Sequence, residues 1–286
     1  MKTCNYFITL RCNDSCEFCP IWQNDEYKKI EEKPFDLSTL KNSGVEVLNV
    51  TGGEPLISEF LPQVLTQAKQ LGLKTILTTN GILYPDKARL INGLIDRLFV
   101  SIDYPFAEEH DRIRGTECFH QAIRSIKLAQ ELKANPAIKY TMTRDTVRFL
   151  PEMIELAERL LTPIYLNPVY DYQGTQGFDR ATIQHIKYFS RRKVVINNAA
   201  VIEFTKNGGN LSILPRCRAR ETTITILPDG SKVGPCFFNQ KGEQGRETIC
   251  SGCLRWDYMV PSFSIGLDRY FFLNQWSNFI NKLRRI

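Results

Sequence analysis

The sequence predicts an α/β fold whose sheet is built from parallel strands, open or closed into a barrel, with a smaller part of different character after it. Three observations carry this. Short runs that are apolar on both faces alternate with amphipathic stretches of helical period. Polar motifs follow each of those runs, as they do at the carboxyl ends of strands in βαβ folds. After about residue 195 the alternation weakens, and turn and hairpin signals replace it.

Taken in order, Tyr6–Leu10 reads as the first strand, and Cys12, Cys16 and Cys19 follow it. Val45–Val50 is the second, leading into Thr51-Gly52-Gly53-Glu54-Pro55, and Phe60–Leu71 is the helix behind it. Leu73–Thr79 ends at Thr79-Asn80-Gly81, ahead of a helix over Pro85–Leu94. Arg97–Ile102 closes with Ser101 and Asp103, and a helix over Phe119–Leu132 comes next. Ile138–Thr143 ends at Thr143-Arg144 before a helix over Val147–Leu161, and Ile164–Val169 contains Asn167-Pro168. Between the fourth strand and its helix, His110-Asp111-Arg112-Ile113-Arg114-Gly115 reads as a loop. Asn207-Gly208-Gly209-Asn210 is a turn. Thr222–Leu227 and Ser231–Val233 around Pro228-Asp229-Gly230 form a hairpin, and Leu267–Ile286 is an amphipathic helix. Six strand ends on one rim would make a single site.

The bulk numbers suit a soluble enzyme-sized chain. It has 286 residues, 43% hydrophobic and 24% charged. The Met-Lys-Thr-Cys-Asn start has no apolar stretch behind it, so no signal peptide is read, and no run of about 18 apolar residues is present. Cytoplasmic location and no membrane span are the expectation. The net charge of +6 comes with short basic clusters but no long basic stripe, so no nucleic-acid role is expected.

Nine cysteines in such a chain are expected to be reduced, and seven fall into two groups. Cys12, Cys16 and Cys19 stand in the spacing C-x3-C-x2-C. Three thiolates on one loop can hold three irons of a 4Fe–4S cube, leaving the fourth iron for a substrate or cofactor. A structural zinc site wants four ligands, and the first histidine is as distant as His110. Cys217, Cys236, Cys250 and Cys253 could close a second 4Fe–4S cluster or a Cys4 zinc site; spacing does not separate these. Cys4 and Cys118 read as small buried hydrophobes.

Cys12, Cys16 and Cys19, with Phe18 before the third cysteine and Gly52-Gly53-Glu54-Pro55 further on, resemble the radical S-adenosylmethionine (radical SAM) superfamily over roughly residues 4–200. The resemblance implies a partial (β/α)6 TIM-type barrel over residues 1–200. It implies a small C-terminal iron–sulfur domain, with a β-hairpin and a terminal helix, over 201–286. Cys12, Cys16 and Cys19 would ligate the SAM-binding 4Fe–4S cluster. One electron from it would split S-adenosylmethionine into methionine and a 5′-deoxyadenosyl radical, which takes a hydrogen atom from the substrate. Glu54, on its glycine turn, would hold the methionine ammonium, with Gly52, Gly53 and Pro55 around it. Phe18 would lie near the adenine, Asn80 on the same rim, Ser101 and Asp103 at the ribose, and Arg144 at the SAM carboxylate. No catalytic residue is singled out.

The second cysteine group resembles the auxiliary-cluster region of SPASM and twitch relatives. Four cysteines suffice for one auxiliary 4Fe–4S cluster, as in the shorter twitch form, and would leave no iron for the substrate. Electron transfer is then its expected work. Such relatives often modify ribosomally made peptides, so a precursor peptide is the expected substrate. Crosslinking, epimerisation, thioether formation and splicease-type backbone excision stay open. The chain begins almost at the barrel, so a separate leader-recognition protein is expected, as is an external donor of flavodoxin or ferredoxin type. The alternative is a small molecule in cofactor or lipid-precursor biosynthesis; a non-catalytic iron–sulfur carrier fits the intact motifs least.

Overall fold

The computed structural model describes residues 2–19, 21–169, 177–196, 198–210, 217–236 and 252–284. These form two compact units. The first is Lys2–Tyr140 with Ile224–Val233; the second is Thr141–Thr223 with Gly234–Ile286.

In the first unit, β1 (Lys2–Thr9), β2 (Val45–Gly52), β3 (Lys74–Thr79), β4 (Arg97–Ser101) and β5 (Pro136–Met142, of which Pro136–Tyr140 belong here) pair in parallel. Their order is sequential, as right-handed βαβ crossovers between neighbouring strands produce. Cys4, Tyr6, Leu48, Val50, Leu77, Leu98 and Val100 are fully buried, while alternate positions of β1, β3 and β4 are only half-buried, so these strands have one deeply buried face rather than two. Helix Leu61–Gln70 buries Leu61, Val64, Leu65 and Ala68, a single face at helical spacing. Helix Phe119–Glu131 does the same with Phe119, Ala122, Ile126 and Ala129. β5 begins two residues before the expected Ile138, because Pro136 can open a strand without donating to the ladder.

The expected hairpin forms as β8 (Thr223–Ile226) and β9 (Lys232–Val233), which pair antiparallel. Gly230 takes φ +83° in its turn, and the Asp229 carboxylate accepts the Ser231 amide at 2.9 Å. β8 lies beside β1, so the hairpin extends the first unit's sheet.

The second unit carries β6 (Ile164–Pro168) parallel to β7 (Val195–Ile196). The two-residue β7 is too short to leave a pattern in the sequence. The expected helix over Val147–Leu161 is a 3-10 turn, Val147–Phe149, followed by the α-helix Leu150–Arg159. Pro151 sits in the α-helix's first turn, where its missing N–H costs nothing. Ala200, Val201, Phe204, Leu254, Trp256, Met259, Phe263 and Tyr270 form a common core between helices Ala199–Lys206, Trp256–Ser262 and Arg269–Arg284. The Trp256 indole N–H donates to the Pro168 carbonyl at 2.7 Å, so that buried donor is satisfied. Among the described residues no helix is long and apolar enough to cross a membrane.

Candidate functional site

The three-cysteine loop leaves β1 and is fastened by backbone groups at both ends. Cys16 and Trp22 are tied through the Cys16 carbonyl, which accepts the Trp22 indole N–H at 2.9 Å and the Cys19 amide at 3.0 Å. The Ser15 and Glu17 amides donate to the carbonyls of Arg114 and Ile113, at 3.0 and 2.9 Å. Those carbonyls belong to the last turn of helix Ala107–Arg114, where no intrahelical donor reaches them.

This helix stands where the sequence suggested a loop. Glu108 and Glu109 in its first turn and Arg112 and Arg114 in its last match the helix dipole. Gly115 ends it at φ +66°, the left-handed cap. A Cβ there would come within 2.1 Å of Ser15 Oγ, so the glycine also lets the cysteine loop lie against the helix end.

Gly52 and Gly53 meet the same loop from β2. The Gly53 amide donates to the Thr9 carbonyl and the Glu54 amide to the Arg11 carbonyl, both at 2.9 Å. A Cβ on Gly52, at φ +145°, would fall 2.0 Å from the Thr9 oxygen. Glu54 is 1% exposed, with Pro55 buried beside it. Its carboxylate accepts the Asn80 amide at 2.7 Å, the Thr79 hydroxyl at 2.8 Å and the Leu56 amide at 3.0 Å. It therefore ties the ends of β2 and β3 together. Burial pushes its pKa up to about 7 despite these donors. The Asn80 side chain completes the link, donating to Asn13 Oδ1 in the cysteine loop at 2.8 Å.

Asp103 is fully buried and grips Arg114. Phe18, expected near an adenine, lies under the same guanidinium, 5.9 Å from its carbon to the ring centroid. Ser101, half-buried, ends β4 opposite Lys139. Arg144 is exposed and belongs to the second unit, where it lines a cavity of about 430 Å³ with Gly177, Phe178, Asp179 and Thr182.

Cys16 is buried, and Cys12 and Cys19 are half-buried. Burial pushes the Cys12 thiol up to about 12 and raises those of Cys16 and Cys19. A metal would have to displace these protons on binding. Three sulfurs with no nitrogen or oxygen ligand among them suit soft iron–sulfur chemistry, so the loop fits a 4Fe–4S cluster.

Another constellation, His110, Asp111 and Cys118, brings its ligand atoms within 4.8 Å of one another. Its hydrogen bonds mark it as structural. The Asp103 amide donates to His110 Nδ1 at 3.1 Å, which leaves the ring proton on Nε2 rather than a lone pair for a metal. Asp111 Oδ1 caps the next helix, accepting the Cys118 and Phe119 amides at 2.9 and 2.8 Å.

In the second unit, Asn210 joins two of the later cysteines. Its side-chain oxygen accepts the Cys217 amide at 2.8 Å. Its amide donates to the Cys253 carbonyl at 2.8 Å, and its carbonyl accepts the Gly252 amide at 2.7 Å. Gly209, at φ +90°, allows this approach, since a Cβ would lie 2.4 Å from the Cys253 oxygen. The expected turn forms, with Gly208 and Gly209 at positive φ, and it serves as a cradle for Cys217 and Cys253. Cys236 is half-buried; Cys250 lies outside the described residues.

The chain is 28% identical over 160 residues to an AdoMet-dependent heme synthase of Oleidesulfovibrio alaskensis, covering 54% of this chain and 41% of that protein. It is 26% identical over 281 residues to the Fe-coproporphyrin III synthase of Methanosarcina barkeri, covering 88% of this chain and 66% of that one. Streptococcus suis SuiB bound to precursor peptide SuiA superposes with a TM-score of 0.66 at 16% identity, covering 90% of this chain and 64% of SuiB. That likeness shows the fold, an α/β arrangement with the parallel sheet of a partial TIM-type barrel. The profile of the Radical SAM superfamily matches residues 6–160, more than half of the 286 residues, and the chain belongs to that superfamily.

Proposed function

We propose that this chain is an enzyme that cleaves S-adenosylmethionine reductively and takes a hydrogen atom from a peptide substrate. The observation that carries the reading is the loop of Cys12, Cys16 and Cys19, held by the Gly52–Gly53 turn on one side and the end of helix Ala107–Arg114 on the other. When bound, the cluster supplies the electron that splits the sulfonium into methionine and a 5′-deoxyadenosyl radical. The three cysteines hold that cluster through deprotonated sulfurs. Glu54 holds the methionine ammonium of S-adenosylmethionine: its burial disfavours the carboxylate charge, and a cation beside it relieves that penalty. The tie to Thr79 and Asn80 fixes its oxygens in advance.

Cys217, Cys236, Cys250 and Cys253 hold an auxiliary 4Fe–4S cluster, and the Asn210 cradle supports this by fixing the backbones of two of them. Four sulfur ligands would leave such a cluster no open iron for a substrate, so the chemistry it would supply is electron transfer. A precursor peptide is the substrate, and the likeness to SuiB with its bound peptide supports that choice. A flavodoxin- or ferredoxin-type donor supplies the electron. A second reading, a small-molecule substrate, is favoured by the two relatives named for heme and Fe-coproporphyrin III synthesis.

The test is anaerobic reconstitution followed by dithionite and S-adenosylmethionine. Release of 5′-deoxyadenosine is expected from the wild type and not from Cys16→Ala; equal release from both would reject the cluster assignment. Mass measurement of a co-encoded peptide and of an added iron porphyrin then separates the substrate readings.

A further inference from the structure

Arg114 is the group around which the cysteine loop is organised. It is 6% exposed, and Asp14 and Asp103, 4% and 0% exposed, face its guanidinium. Its Nε donates to Asp103 Oδ2 at 2.8 Å, with Nη2 on the same oxygen. Its Nη1 donates to Asp14 Oδ2 at 3.3 Å. Its own carbonyl accepts the Ser15 amide at 3.0 Å, and its charge stands over the Phe18 ring. One side chain thus touches two residues inside the span from Cys12 to Cys19, while its backbone holds a third.

Two buried carboxyl groups, Asp14 and Asp103, share one buried guanidinium. Asp14 Oδ2 also receives the Cys16 thiol at 3.8 Å. Arg114 Nη1 donates to the same oxygen, so its positive charge stands one carboxyl group away from the Cys16 sulfur.

We propose that Arg114 is a positioning residue for the cluster: it locks the ligand loop through Asp14 and Asp103 and raises the cluster's reduction potential with its buried positive charge. The inference rests on the reading that Cys12, Cys16 and Cys19 hold a 4Fe–4S cluster. The couple concerned is the one-electron reduction of that cluster by an external donor, with no bond to the protein made or broken. Net charge around a cluster is one of the levers that set its potential, and partners behind the ligands hold metal affinity as well.

The test is an anaerobic redox titration of reconstituted protein followed by electron paramagnetic resonance, with iron and sulfide assayed per chain. Relative to wild type, Arg114→Gln is expected to lose iron affinity by about tenfold and to titrate at a more negative midpoint in its loaded fraction. Arg114→Lys, which keeps the charge and loses the fork, is expected to recover the midpoint and only part of the loading. Asp14→Ala removes the acceptor that ties Arg114 to the loop and is expected to lower iron loading; this arm decides the matter if Arg114→Gln does not fold. Unchanged midpoints in loaded Arg114→Gln, or unchanged iron loading in Asp14→Ala, would overturn the proposal. A wild type without the reduced-cluster signal would instead overturn the reading beneath it.

Discussion

Gly53 stands so close to Arg11 that a Cβ on it would come within 2.1 Å of the Arg11 carbonyl oxygen. The neighbour is backbone in the cysteine loop, so it has no rotamer to yield. The glycine is thus required by a contact inside the protein, and it places Glu54 and the loop in one frame.

Gly53→Ala is therefore expected to push the loop away from β2. Inserting a methyl into such a contact costs about 1–3 kcal/mol. Thermal melting should fall by several degrees, and reconstituted iron per chain should fall with it. Normal iron loading in a folded Gly53→Ala protein would show that this contact does not position the ligands.

Glu54 gives a pH dependence of known sign. Its folded pKa, about 7, lies above its ordinary 4.5 because of burial. Folding then takes up a proton between those values. The stability contributed by the protonated side chain is complete below about pH 4.5 and is lost as pH rises through about 7. The full displacement is worth about 3 kcal/mol. In metal-free protein, the stability of wild type relative to Glu54→Gln should decline between about pH 5 and 8 in urea unfolding. A flat difference would mean that the carboxylate is ionised throughout.

The sequence displays ligands and turns more readily than the groups that hold them. Cys12, Cys16, Cys19 and Gly52–Pro55 are local spacings, and the parallel strands are short runs rich in apolar residues, so both could be read directly. Arg114 could not, because Asp14 and Arg114 are 100 residues apart and meet only through the fold. Its helix Ala107–Arg114 is mostly charged and buries only His110, Ile113 and Arg114, so it carries little apolar period and passes for a solvated loop. The Gly115 cap after basic residues was the signal that could have found it. Asn210 was hidden for another reason: Asn-Gly-Gly-Asn spells a turn, and nothing local tells that its last residue bonds both Cys217 and the distant Cys253.

Phe204 tests the second unit independently of any metal. It is fully buried, with its ring 6.0 Å from that of Phe263, in the core shared by three helices. Phe204→Ala should cost about 3–5 kcal/mol, since the helices around it leave a cavity rather than collapse. Chemical denaturation would register it as a lower midpoint; a cost under about 1 kcal/mol would mean that this core is loosely packed.

Asn210 tests the cradle itself. Its side-chain oxygen is the acceptor for the Cys217 amide, and its backbone holds Cys253 and Gly252 through two further hydrogen bonds. Asn210→Ala removes only the first of these and strands the Cys217 N–H, at about 1–3 kcal/mol if no water replaces it. Asn210→Asp keeps the acceptor at the same place and length. If the cradle prepares Cys217 as a ligand, the alanine variant should bind less iron per chain while the aspartate variant retains it. Two variants that lose iron equally would point to the backbone turn alone, and two that keep all of it would remove Asn210 from the ligand-positioning argument.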